Sequence, residues 1–458
     1  MTTFPELLAR NAAEHGDAEA VVTEERRITH AELDAESAAL AARWPLPKSA
    51  RIGLRGRNSV EWVLVAAAVM RQGATLVPLS TLLTPPELDA HLRVADVDEV
   101  ITLPAADHHE LGTDPSSIWT LPSPVRSGGP AFEVRAADDL VVLFTSGSTG
   151  TPKGVVHTHG GALRAAAANI GARRLGPGSR LYMPMPFFWT GGFATALVSS
   201  LVAGATLLTE ARPEPARTLA FLARERCTHF RGWPDQAAAV AAHPDFATTD
   251  LSSLRDASLP AVLPPGRRPA PGARPNMFGM TETFGPWCGD PLDVDLPAAK
   301  HGSCGRPLPD VEVRVVDGVL QLRGPNLLRT ICGRTRDEVF TPDGWFDTGD
   351  RGRVDDDGYV WFEGRADDMF KVKGATVYPS EVEAALRSIT GVRQAHVTEA
   401  GALVITELDE ATVAAAARER LSSFKVPTRW RITDDDADVP MLASGKIDKR
   451  ALRELLAP

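Results

Sequence analysis

Through its first 260 residues the chain alternates short apolar runs with stretches whose hydrophobic positions recur every three or four residues. Such a pattern predicts strands interleaved with helices. Thr29-His30-Ala31-Glu32 places a hydroxyl three residues before a carboxylate, a capping box that opens a helix toward Trp44. Arg51–Arg55 reads as a strand, Glu61–Arg71 as a buried helix stopped near Gly73, and Ala74–Leu79 as another strand. Thr84-Pro85 supplies a cap and a first-turn proline for a further helix, ahead of a strand at Val100–Leu103. Leu140–Phe144 (strand), His159–Asn169 (helix), Leu207 (strand), Ala216–Arg226 (helix) and His229–Arg231 (strand) continue the alternation. Short elements in this order argue a mixed or mainly parallel sheet flanked by helices, an α/β fold.

Beyond a Pro-rich loop at 264–275 the pattern changes. Between about 300 and 363, VEVRVVDGVLQLRG and GYVWFEG predict short strands joined by Gly and Asp turns, a β subdomain. Past Gly364, Ser380-Glu381-Val382-Glu383 reads as a helix cap, Gln394–Val397 and Leu403–Ile405 as strands, and an Ala-rich helix as ending near Phe424. The expected organisation is a large N-terminal domain (1–364) of mixed sheets flanked by helices, with its β subdomain, followed by a small, mobile α+β C-terminal domain (365–458). One stretch, Leu181–Thr209, carries no charge over 29 residues. That length could span a bilayer. Pro184, Pro186, Gly191, Gly192 and Gly204 interrupt it, so buried soluble elements are the better expectation.

Composition narrows the function classes. A net charge of −10 over 458 residues gives no reason to expect nucleic acid or an anionic membrane as partner. Cys227, Cys288, Cys304 and Cys332 lie far apart without a CxxC pair, which suits a reducing compartment better than disulfides or a zinc site. The N-terminal MTTFPELLARNAAEHG lacks a basic segment followed by an apolar core, so a soluble, cytoplasmic protein is expected. Only eight of the 49 basic residues are Lys, yet Lys153, Lys371, Lys373 and Lys446 all stand in Gly-containing, loop-like stretches. A compact ammonium at such places is a point charge that a guanidinium does not reproduce.

The strongest chemical signal follows Phe144. TSGSTGTPKG (145–154) holds three Gly, five hydroxyls and one Lys, a composition that lets backbone N–H groups turn toward an anion. It is not a Walker A loop, because Pro152 precedes Lys153 and Gly154 follows it. No GxGxxG opens a helix. Further on stand FGMTETFG (278–285), GWFDTGDRG (344–352), GRADDMFKVKG (364–374) with YPSEVE (378–383), and SGKIDKRAL (444–452). In composition, order and spacing, from about residue 5 to 452, these motifs resemble those of the adenylate-forming superfamily, which holds acyl-CoA synthetases, luciferases and peptide-synthetase adenylation domains. The pattern is nearest to the acyl-CoA synthetases.

The resemblance implies attack of a carboxylate on the α-phosphate of ATP to give acyl-AMP and pyrophosphate, then transfer of the acyl group to coenzyme A with release of AMP. Two anions must meet, so positive charge and donors are needed where charge accumulates. By the family pattern, Thr145, Ser146, Gly147, Ser148, Thr149, Gly150 and Thr151 with Lys153 hold the β and γ phosphates. Thr281 donates to the α-phosphate and Glu282 holds Mg²⁺. Phe278 and Gly279 lie against adenine, and Asp350 accepts from the ribose with Arg365 beside it. Lys446 reaches the attacking carboxylate. A pivot at Asp367 then withdraws Lys446 and brings in the Lys371–Gly374 loop for thioester formation, with Lys371 as its candidate residue.

Departures shape the substrate expectation. Phe278 stands where the family has Tyr, and PFFWTGGF (186–193) places Trp189 where many members have His. LPAVLPP (259–265) is a degraded form of the stretch that lies against adenine. Phe188, Trp189, Gly192 and Met280 are the candidate acid pocket, and the lack of an Asp in PFFWTGG argues against an amino acid. A hydrophobic carboxylic acid, ATP and CoA are therefore the expected small-molecule partners. Three alternatives stand beside this reading: an acyl-AMP ligase that loads a carrier-protein pantetheine, a non-catalytic nucleotide-binding module, and a P-loop-type kinase.

Overall fold

The computed structural model describes residues 3–83, 85–103, 133–145, 152–257, 260–270, 272–274, 277–365, 370–372, 375–377, 379–421, 425–442 and 446–457. They form two compact units, Met1–Glu312 with Arg323–Phe346, and Val313–Leu322 with Asp347–Pro458. The strands expected as a β subdomain thus group largely with the C-terminal segment.

In the first unit the chain runs α1 (Phe4–His15), β1 (Glu19–Val22), β2 (Arg27–Thr29), α2 (His30–Arg43), β3 (Arg51–Arg55), α3 (Val60–Met70), β4 (Thr75–Leu79), α4 (Pro85–Ala95), β5 (Glu99–Thr102) and β6 (Asp139–Thr145). It continues with β7 (Lys153–Thr158), α5 (His159–Arg173), β8 (Arg180–Tyr182), a π-helix (Gly191–Val198), α6 (Ser199–Ala203), β9 (Thr206–Leu208), α7 (Pro215–Arg224), β10 (His229–Phe230), α8 (Pro234–Ala241) and β11 (Asp256–Ala257). The strands β12 (Phe278–Met280), β13 (Gly285–Gly289) and β14 (Arg306–Pro307) close this run.

The expected caps and stops are largely met. Thr29 Oγ1 accepts from Glu32 N at 3.2 Å while Thr29 N donates to Glu32 Oε2 at 2.8 Å. Ser59 caps α3, whose residues are buried all round except Glu61, and Gly73 adopts φ +75° where the chain turns back. Thr84 lies outside the described residues. Arg231, taken with the strand at His229, falls just past the end of β10.

Two six-stranded sheets result, in the orders β17-β7-β6-β4-β3-β5, with β17 at Thr330–Ile331, and β11-β10-β8-β9-β1-β2. In the first, β3, β4, β5 and β6 run parallel, β7 pairs antiparallel with β6, and β17 pairs antiparallel with β7. The second is parallel from β11 through β1 with β2 antiparallel. The uncharged stretch Leu181–Thr209 becomes part of β8, the π-helix, α6 and β9, almost all buried. No described helix is long and apolar enough to cross a membrane. One large apolar core gathers α1, α3, α5 and the π-helix, with Trp62 meeting Phe187 and Phe193 at ring separations of 5.0 and 6.2 Å.

In the second unit β15 (Glu312–Val316), β16 (Val319–Arg323), β18 (Phe346–Val354) and β19 (Val360–Arg365) form a four-stranded sheet in that order. The hairpin β20 (Phe370–Val372) and β21 (Ala375–Val377) follows, then α9 (Pro379–Arg387), β22 (Val392–Thr398), β23 (Gly401–Thr406), α10 (Glu410–Arg420), β24 (Trp430–Thr433) and α11 (Lys449–Leu456). Ser380 lies inside the first turn of α9 instead of capping it, and its hydroxyl donates to the Glu363 carbonyl. The Ala-rich helix α10 ends at Arg420, short of Phe424, which is outside the described residues. Val382, Leu386, Ala395, Val404 and Val413 form this unit's core.

Candidate active site

The Gly-rich loop belongs to a hairpin. β6 and β7 pair antiparallel with Thr145 opposite Lys153 and Phe144 opposite Gly154. Antiparallel pairing thus puts Thr145 and Lys153 side by side at the loop's base, both half-buried. Ser146, Gly147, Ser148, Thr149, Gly150 and Thr151, between them, lie outside the described residues. Gly154 is required by packing, since a Cβ there would stand 2.9 Å from both Cys332 Sγ and Val142 Cγ1. Cys332 N donates to Gly154 O at 2.8 Å, which fixes the segment after β17 along β7.

The FGMTE motif forms a second hairpin of β12 and β13. Gly279 sits opposite Pro286, and a Cβ would come within 2.5 Å of Gly285 C and Pro286 Cα, so only glycine fits. Thr281–Thr283 makes one 3-10 turn, and Phe284 then takes the left-handed conformation at φ +55°, a strained position for an aromatic residue. Thr283 Oγ1 donates to Gly285 O at 2.6 Å and closes the turn. Phe278 meets Trp287 edge-on at 5.9 Å, which orients its ring.

This turn is tied to the phosphate hairpin. His157 of β7 donates through Nε2 to Thr281 O at 2.8 Å, and its ring packs on Phe284 at 5.0 Å. Burial pushes the His157 pKa down to about 4, so the ring is neutral near pH 7. Leu328 N donates to Glu282 O at 2.8 Å, and Arg329 N donates to Val156 O at 2.8 Å. Lys153 and the Thr281–Glu282 turn are therefore anchored on one strand. Thr281 Oγ1 shares a 2.7 Å hydrogen bond with Thr190 Oγ1. That contact brings PFFWTGGF against the same turn.

Within PFFWTGGF, Phe188 is buried and stacks edge-on with Trp189 at 5.2 Å, and Trp189 meets Trp233 at 5.7 Å. A Cβ on Gly192 would collide with the carbonyls of Met185 and Pro186, so this glycine lets the chain enter the π-helix. Met280 is half-buried, its N donating to Thr283 Oγ1 at 3.2 Å. Close by is a cavity of about 470 Å³ that none of Phe188, Trp189, Gly192 or Met280 lines. Arg173, Arg231, Arg255, Arg267 and Arg274 line it instead, with Met277 and Pro286 from the ends of the β12–β13 hairpin. Burial pushes the Arg231 pKa down to about 9 and the Arg173 pKa to about 10.

In the second unit Asp350 is buried on β18 and stands opposite Arg365 on β19. Arg365 Nη1 donates to Asp350 Oδ1 at 3.0 Å and to Thr348 O at 3.0 Å. Gly349, at φ +66°, leaves room for the guanidinium, since a Cβ would reach 2.9 Å from Arg365 Nη2. Lys371 lies on β20 opposite Thr376 of β21. Asp367 lies outside the described residues. Lys446 is exposed; Leu442 N donates to Lys446 O at 2.7 Å, and Met441 pairs with Ile447 in an isolated antiparallel bridge. Asp448 then caps α11 by accepting from Arg450 N and Ala451 N at 3.0 Å each. Among the described residues no cluster of three or more His, Cys, Asp or Glu could hold a metal ion.

Motif reading did not single out His157, Thr190, Trp233 or the cavity arginines. His157 sits in an apolar strand, VVHT, where a lone polar residue was the available signal. Arg231 directly follows an apolar strand end. Thr190 and Arg173 carry no local signal, because their partners come from distant chain.

An AMP-binding enzyme family model matches residues 8–326. The chain is 32% identical to a 3-[(3aS,4S,7aS)-7a-methyl-1,5-dioxo-octahydro-1H-inden-4-yl]propanoyl:CoA ligase of Mycobacterium tuberculosis, covering 99% of each chain. It is 30% identical to a feruloyl-CoA synthase of an Amycolatopsis species, covering 93% of each. Among solved structures it is similar to ATP-bound MatB from Rhodopseudomonas palustris, with TM-score 0.82, 25% identity and 98% of each chain covered. With those motifs on these hairpins and a family match over more than half its length, the chain belongs to the AMP-binding enzyme family, the adenylate-forming superfamily.

Proposed function

We propose that the protein activates a hydrophobic carboxylic acid with ATP as acyl-AMP and passes the acyl group to CoA. It is an AMP-forming acid–CoA ligase. The observation that carries the detailed reading is the anchoring of Lys153 and the Thr281–Glu282 turn on one strand, through His157 and the 328–332 segment. A phosphate-binding cation and a carboxylate then serve one triphosphate.

In this reading the Thr145–Lys153 hairpin binds the β and γ phosphates, with Lys153 as a point charge. Thr281 orients the α-phosphate, its hydroxyl positioned by Thr190. Glu282 is one half-buried carboxylate on a 3-10 turn. That suits Mg²⁺, which takes one or two carboxylates along with substrate phosphates and water. Mg²⁺ supplies charge neutralisation on the triphosphate. Phe278 stacks on adenine. Asp350 accepts from the ribose hydroxyls while Arg365 holds its other side. Lys446, itself exposed, approaches the acid carboxylate for adenylation. Rotation about Asp367 replaces it with the strand bearing Lys371, so each half-reaction has its own lysine.

The relatives name acids with large apolar bodies, and PFFWTGGF with Trp233 gives this chain an aromatic surface beside the Thr281 turn. Transfer to a carrier-protein pantetheine is the second reading, since the chemistry up to acyl-AMP is shared. ATP–pyrophosphate exchange over a panel of monocarboxylic acids, followed by CoA-dependent AMP release and mass spectrometry of the thioester, tests the proposal. Formation of ADP or phosphate would refute it, as would thioester formation on a carrier protein alone.

A further inference from the structure

The arginine-lined cavity abuts the elements to which the acid is assigned. Arg173 Nη1 donates to Thr195 O at 2.6 Å, inside the π-helix that continues PFFWTGGF. Met277 and Pro286 bring the β12–β13 hairpin to its wall. Leu263 and Leu292 add carbon surface, so an apolar body is accommodated. The polar lining is cationic. Five arginines face two aspartates, and both aspartates are engaged: Asp256 pairs with Arg231, and Asp293 with Arg174 at 3.0 Å.

Arg173 is only 5% exposed, yet among the described residues it has no carboxylate partner. Besides Thr195 O it reaches only Met183 Sδ at 3.8 Å. Arg267 donates to the carbonyls of Ser252 and Leu254, and exposed Arg255 stands at the rim with no carboxylate partner among the described residues. A guanidinium has five donors and no acceptor. Burying one without an anion is costly, and the cost is offset when a ligand brings the missing acceptor. A volume of about 470 Å³ lies in the range of small-molecule sites.

We propose that the acid carries oxygen acceptors, a second carboxylate or an oxo group, at the end remote from its activated carboxyl, and that Arg173 and Arg255 receive them. The assignment rests on the acid-ligase reading above and narrows its substrate class from a plain hydrocarbon acid to an apolar-bodied acid with an oxygenated terminus. The buried guanidinium that has no carboxylate partner among the described residues carries it: a bare alkyl tail would leave that charge without an anion.

Octanoate, 7-oxooctanoate and octanedioate, with phenylacetate and 1,4-phenylenediacetate as an aromatic pair, distinguish the sources. Binding is measured by calorimetry on the full chain and turnover by AMP release with CoA. The oxygenated member of at least one pair should exceed its plain partner in kcat/KM by about ten- to hundredfold, the range of a charge-assisted hydrogen bond. A preference for octanedioate over 7-oxooctanoate identifies a carboxylate, and the reverse an oxo group. Arg255→Ala, at the exposed rim, should lower that ratio at least fivefold by the same reasoning, and Arg173→Met should abolish it. If Arg173→Met fails to fold, the Arg255→Ala ratio decides. Plain acids preferred in every pair, an unchanged ratio in Arg255→Ala, or an effect confined to the KM for CoA overturns the inference and leaves the ligase reading intact. Arg255-dependent binding of octanedioate without AMP release from any acid does the opposite.

Discussion

His157 links the candidate site to the stability of the first unit. It is fully buried, its Nε2 holds Thr281 O at 2.8 Å, and its pKa falls to about 4 from an ordinary 6.5 because burial penalises the charged ring. Between those values the unfolded chain takes up a proton that the native ring refuses, so stability drops as pH falls through this window. At pH 5 the unfolded imidazole is almost wholly protonated and the native one about one-tenth so. The difference amounts to about 2 kcal/mol relative to pH 7.5. His157→Gln keeps an amide donor for the Thr281 carbonyl and removes the titration. Urea unfolding of wild type and variant at pH 7.5 and 5.0, followed by tryptophan fluorescence, should show wild type losing about 2 kcal/mol more than the variant. Buried His159, also pushed down to about 4, stays in both proteins and cancels. Equal losses would mean that His157 titrates normally and that the buried tie is misplaced. A companion variant, His157→Leu, leaves a carbonyl without its donor at a cost of about 1–3 kcal/mol. Its ATP–pyrophosphate exchange should fall well below that of His157→Gln.

Gly279→Ala drives a Cβ into backbone atoms of Gly285 and Pro286, so exchange should drop at least about tenfold with a loss of about 1–3 kcal/mol in stability. Gly171→Ala, in α5 with nothing within 4 Å, should instead stabilise by about 0.5–1 kcal/mol in thermal unfolding. Lys446→Ala should abolish acyl-AMP formation yet still convert supplied acyl-AMP and CoA to thioester, and Lys371→Ala should show the reverse. Equal losses in both half-reactions for both variants would refute the rotation. Asp350→Asn weakens the partner of Arg365 and the proposed ribose contact, so the KM for ATP in exchange should rise about tenfold or more. An unchanged KM would remove Asp350 from the nucleotide site.

Local chemistry is what the chain itself made legible. The Thr29–Glu32 box, the continuous apolar face of α3 and the β6–loop–β7 punctuation each depend on residues a few positions apart, so their outcome is written in short segments. Ordered motifs likewise named the family without any contact being known. Boundaries moved where long-range packing intervened: Ser380 serves Glu363 across the unit instead of capping α9.

The alternation of apolar and polar residues, with the Gly-rich and lysine motifs, determined the α/β class and the adenylate-forming chemistry, because periodicity and backbone permissiveness are local properties. Only the tertiary structure decided that His157 and Thr190 grip Thr281 across separations of 124 and 91 residues. It alone gathered arginines from α5, the end of β10 and the start of β11 around one cavity. The physical reason is that a buried donor must find its acceptor wherever the fold brings one, and sequence distance places no limit on that search.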